Sequence, residues 1–184
     1  MAWTESITKN RPGVPGGWDC PLPDMFPLRQ SIPSPLLSDP CEALVDSLNG
    51  LAAIDLQGKK IAVTVGSRGI PHLTGLVAAL VRWLESRGAE PFIVPSMGSH
   101  GGATAEGQVA ILEKLGVTEA SVDAPIACGM ETVSTGTLED GTELFCDRRA
   151  ASADGIVLFN KVKPHTSFKG THESGLLKMS VIGL

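Results

Sequence analysis

Ile61-Ala62-Val63-Thr64-Val65-Gly66-Ser67-Arg68-Gly69 reads as a strand that runs directly into a glycine loop. Its first half is apolar without the in-out alternation of a half-exposed strand, the pattern of a strand buried on both faces of a parallel sheet. Beyond Ile70-Pro71-His72, apolar spacing predicts a helix from about Thr74 to Arg87, stopped by Gly88. Strand, glycine loop, helix is the order that turns free backbone N–H groups and a positive helix end toward an anion. The order then repeats. Pro91 to Pro95 is a second strand and Ser96-Met97-Gly98-Ser99-His100-Gly101-Gly102 a second glycine loop. Thr104 is the expected N-cap of a helix reaching about Leu115.

Working outward, Cys41 to Leu51 carries apolar residues at 41, 44, 45 and 48, a helical stripe closed by Asn49-Gly50. Gly58-Lys59-Lys60 is a turn. Upstream, Pro12 to Pro40 is expected to lie over the domain as an extended arm anchored by Trp18, Met25 and Phe26. Downstream, Glu131 to Thr137 and Thr142 to Cys146 flank Asp140-Gly141, a hairpin signal. A short helix over Arg148 to Ala153 then leads into the strand Gly155 to Phe159. The fold class expected is α/β: a mostly parallel sheet with helices on both faces, plus a β-hairpin. Residues 1–40 form the arm in this reading, and 41–184 a single domain.

The chain has 184 residues, 42% hydrophobic and 19% charged, enough for one core of good size. Its net charge of −5 argues against a nucleic-acid surface, which needs clustered cations. The longest apolar candidate, Gly75 to Leu84, is too short for a membrane span and is broken by Arg82. No apolar leader opens the sequence, and Cys20, Cys41, Cys128 and Cys146 lack metal or disulfide-scaffold spacing. A cytoplasmic protein with reduced thiols is the expectation. The last residues, Met179 to Leu184, are apolar with no polar tail, so further chain or an oligomer contact is expected to pack there.

The stretch Lys163 to Met179 follows the strand Gly155 to Phe159, where α/β sheets keep their ligands. Within it, His165 at a strand end and His100 in its glycine loop could face each other as an acid/base pair, since imidazole titrates near working pH. Arg68 offers a planar fork for a carboxylate or phosphate. Ser67-Arg68-Gly69 is the expected seat of a phosphate. Lys178 stands in an apolar setting and reads either as a buried nucleophilic amine or as a lysine that keeps its head in water. His72 reads as structural. His165 and His172 lack the helical spacing of zinc motifs, although a metal-assisted hydrolase on His100, His165 and His172 stays open as an alternative. So does a non-catalytic ligand-binding domain. G-x-S-x-G, Walker A and G-x-G-x-x-G patterns do not occur.

Three motifs carry a resemblance: V-G-S-R-G-I (65–70), P-S-M-G-S-H-G-G-A-T-A-E-G-Q (95–108), and N-K-V-K-P-H-T-S-F-K-G (160–170) followed by G-L-L-K-M (175–179). In this order they resemble the lactate racemase family, over about Met25 to the end. The resemblance implies an isomerase, a 2-hydroxyacid racemase or epimerase that uses a nickel-pincer nucleotide as hydride acceptor. It implies that Arg68 orients the substrate carboxylate, that His100 and His165 are the catalytic pair, and that Lys178 tethers the cofactor. No metal ligand is implied within these residues, since the family's nickel-binding histidine corresponds to sequence after Leu184. Lactate racemase has an acidic residue three positions before its arginine. Here that position is Val65, which implies a substrate other than lactate.

Overall fold

The computed structural model describes residues 24, 26–31, 36–51, 54–163, 169–171 and 173–184. The chain divides into two compact units, Met1–Leu36 and Leu37–Leu184. In the first, Phe26 is 83% exposed. The other two expected anchors, Trp18 and Met25, lie outside the described residues.

The second unit opens with α1, Pro40–Asn49. The Asp39 carboxylate accepts the N–H groups of Cys41 at 2.8 Å and Glu42 at 3.0 Å, and Pro40 fills a first-turn position that needs no donor. Leu44 and Leu48 turn its apolar stripe onto the core. Next come β1 (Lys60–Val65), α2 (Leu73–Ser86) and β2 (Glu90–Pro95). A tight turn, His100–Ala103, precedes α3 (Ala105–Lys114), with Thr104 accepting the Gly107 N–H as its cap. The short α4 (Glu119–Val122) leads to a hairpin of β3 (Thr132–Thr137) and β4 (Glu143–Asp147). Then follow α5 (Arg148–Ala151), β5 (Gly155–Phe159) and α6 (Leu176–Lys178), which widens into a π-helical turn over Met179–Gly183.

The main sheet has the order β2-β1-β5 and every pairing is parallel. Central β1 is buried from Ile61 to Val65, as its unalternating sequence requires. Its two faces differ. Ile61, Val63 and Val65 meet Val77, Leu80, Val81 and Leu84 of α2 in the larger core, whereas Ala62 meets Val94 and Ala150 on the thinner side. Helices therefore cover both faces, unequally. The large α2 face follows from its sequence, where buried positions 73, 77, 80, 81 and 84 recur at helical spacing. Among the described residues no helix is long and apolar enough to cross a membrane.

Thr64, fully buried on β1, ties three elements together. Its hydroxyl oxygen accepts the Phe159 N–H of β5 at 3.0 Å, and its O–H donates to the sulfur of Met179. Thr64→Val keeps the shape and removes both bonds, so it should cost about 1–3 kcal/mol. At this chain length each kcal/mol lowers Tm by about 2–4 °C. A variant melting at the native temperature would show that the hydroxyl contributes nothing.

Candidate active site

The sheet order puts the carboxyl ends of β1, β2 and β5 side by side, and because β2 and β5 lie on opposite sides of β1, the chain changes direction there. Such a switch point opens a crevice beyond the strand ends. In this protein it is a half-open cleft of about 280 Å³. Gly66, Ser67 and Arg68 leave β1 to form one wall; Ser96 to His100 leave β2; Asn160, Lys161 and Lys163 leave β5. Lys178, Met179, Ile182 and Gly183 of the C-terminal turn close the remaining side.

Ser67, Arg68, His100 and Lys178, picked out in the sequence for separate reasons, thus line one cleft. The Ser67 hydroxyl and the His100 Nδ1 are 2.5 Å apart. Arg68 and His100 are exposed. Lys178 is exposed too. The π-helical turn buries the adjacent Met179, 4% exposed, in its place. Gly69 is exposed and outside the cleft lining, and α2 starts only at Leu73, after the turn Ile70-Pro71-His72. No residue of α2 is among the described residues that line the cleft. His72 is exposed at the helix start and its ring makes no capping bond. His165 and His172 lie outside the described residues.

The loop that bears His100 is held by backbone packing. Gly98, Gly101 and Gly102 have φ of +59°, +68° and +71°, a region that side chains strain. A Cβ on Gly107 of α3 would lie 1.8 Å from the Gly101 carbonyl oxygen, so turn and helix touch backbone to backbone. Gln108, 4% exposed, donates from Nε2 to the Gly98 carbonyl at 2.9 Å. Cys128 donates to the Ala105 carbonyl and to Gln108 Oε1, and burial pushes its thiol pKa up, keeping that donor proton in place. Gln108 was not picked out from sequence. The signal was a glutamine at the head of the 108, 112, 115 stripe of α3, where apolar residues stand at the other two positions.

The loop after β5 is fastened at its base. Asn160 Nδ2 donates to the Gly175 carbonyl at 2.8 Å, while the Ser174 hydroxyl accepts the Lys163 N–H at 2.9 Å and donates to the Lys163 carbonyl. These two links bring Lys161 and Lys163 into the cleft beside Arg68 and Lys178. No Asp or Glu is among the described residues that line it. The ion pair of Arg149 and Glu131, 2.8 Å, joins α5 to the residue before β3; there the guanidinium holds the Glu131 carboxyl below the usual carboxylate range. Among the described residues no group of three or more His, Cys, Asp or Glu could hold a metal, and Cys41, Cys128 and Cys146 are free thiols.

Compared with known families, residues 42–174 match the lactate racemase N-terminal domain. No curated protein matches the chain, and no solved structure does.

Proposed function

The chain belongs to the lactate racemase N-terminal domain family, and from that premise we propose that it serves a nickel-pincer nucleotide-dependent racemase or epimerase of a 2-hydroxyacid. The observation that supports this most is the meeting of Arg68, His100 and Lys178 around one cleft at the ends of three parallel strands. The donor set suits an anionic nucleotide, since Arg68, Lys161, Lys163 and Lys178 contribute cations and no carboxylate opposes them among the described lining residues. When bound, that group supplies a hydride acceptor next to the substrate.

Lys178 is the tether in this reading, an exposed amine on the cleft wall. Arg68 holds the substrate carboxylate through two parallel hydrogen bonds, which fixes C2 and its hydroxyl. His100 would take the hydroxyl proton at one face of the substrate in one direction of isomerisation and give a proton back there in the other. His165 is assigned the same duty at the opposite face of the substrate. The small molecule in this reading is a 2-hydroxyacid other than lactate, because Val65 stands at the position of the family's acidic residue.

Intact mass tests the tether. Protein from cells that make the cofactor should carry an adduct that maps to Lys178 and is absent from Lys178→Ala. An unmodified mass from such cells would remove the tether. Zinc bound in place of nickel and an absorbing organic ligand would instead favour the hydrolase.

A further inference from the structure

We propose that Ser67 is a positioning residue that fixes the tautomer of His100: the imidazole carries its proton on Nδ1, donated to the Ser67 hydroxyl, and Nε2 is left as the free lone pair. The role rests on the acid/base duty assigned to His100 above.

The two side chains leave neighbouring strands in a fixed register. Val65 pairs with Pro95, and Ser67 and His100 stand two and five residues beyond that pair. The His100 loop is braced from behind by Gln108 on the Gly98 carbonyl and by the Gly101–Gly107 backbone contact. The ring therefore meets the serine by construction of the two loops, at 2.5 Å through Nδ1. Which nitrogen of a histidine is protonated is set by the partner of the other.

The chemistry selects the direction of that bond. A histidine that removes and returns one proton alternates between a neutral ring with a bare nitrogen and a doubly protonated cation. If Nε2 exchanges the proton, Nδ1 bears hydrogen in both states, and its partner must accept in both. A serine hydroxyl accepts throughout and adds no charge to the cleft. Were the serine to donate to Nδ1, the neutral ring would hold its proton on Nε2 and could not act there as a base. This also gives Ser67 a task other than seating a phosphate.

Two-bond proton–nitrogen correlation spectra of the ¹⁵N-histidine-labelled chain, with His100→Gln used for assignment, read the tautomer without cofactor or substrate. On the alkaline side of the titration, native His100 should show a pyrrole-type Nδ1 and a pyridine-type Nε2. Ser67→Ala should shift the ring toward the Nε2–H form preferred by free histidine, and Ser67→Thr, which keeps the hydroxyl, should restore the native pattern. A native ring already in the Nε2–H form, or a tautomer indifferent to Ser67→Ala, overturns the assignment. In the loaded enzyme Ser67→Ala should lower kcat about three- to tenfold with little change in KM. Spectra as expected together with no turnover of any 2-hydroxyacid would fault the proposed function and leave the tautomer assignment intact. Turnover with a tautomer insensitive to residue 67 would do the reverse.

Discussion

His100→Ala, made in protein loaded with the nickel-pincer nucleotide, should slow isomerisation of the 2-hydroxyacid by about 10²–10⁴-fold, the usual contribution of a positioned general acid/base. The loss should fall on kcat, because in the proposed mechanism carboxylate binding belongs to Arg68 and does not pass through the imidazole. His165→Ala is expected to give a loss of the same size. Each imidazole would work on one face of the substrate, and isomerisation needs both. His72→Ala is the control: its ring is exposed, makes no capping bond and lies outside the cleft lining, so turnover should be unaffected. Steady-state rates in both directions measure all three. Near-native turnover by His100→Ala would end its assignment as acid/base.

Gly107→Ala should be the most destabilising single change in the loop region. The new methyl would stand 1.8 Å from the Gly101 carbonyl oxygen, and Gly101 cannot retreat easily, since a Cβ there would itself lie 2.4 Å from the Gly107 carbonyl carbon. The colliding atoms are backbone on both sides, so no rotamer change relieves them. A cost of about 3 kcal/mol, the upper end of ordinary overpacking, is expected, and with it a fall in Tm of about 6–12 °C. Gly102→Ala separates crowding from conformational strain. Gly102 shares the left-handed backbone, φ +71°, but has open space where its Cβ would go, so it should cost only about 1–2 kcal/mol. Thermal melts of the two variants compare them directly. A Gly107→Ala variant that melts at the native temperature would mean that the close approach does not contribute.

The strands and long helices could be read from the sequence because their causes are local. Ile61 to Val65 is an apolar run, Asp39 and Thr104 are caps, and Asp140-Gly141 is a turn. Short α4 escaped notice because four residues leave no periodicity; its sign was the reciprocal Thr118–Ser121 capping pair. The parallel bridge between Ile93 and Ile126 depends on a distant segment and has no local signature. The same division runs through the cleft. Arg68 and His100 stood out as polar residues among glycines after strands. Asn160, Ser174 and Gln108 did not, since their role is to bind backbone groups remote in sequence or on another element. Lys178 has apolar neighbours in sequence, yet it is exposed and lines the cleft beside a π-helical turn in which Met179 is the buried residue.

That turn has a mechanical meaning. Met179 is clamped beneath Thr64, and its methyl lies 3.2 Å from where a Cβ on Gly66 would be. The residue next to Lys178 is therefore a hinge pin set in the sheet, while the lysine stem is a crane arm free at its tip. Cargo joined to the amine would have its pivot fixed to the first loop of the cleft, and its swing limited to the length of four methylenes. A larger residue at 66 would push on the pin, so it should change where the cargo sits without touching the amine that carries it.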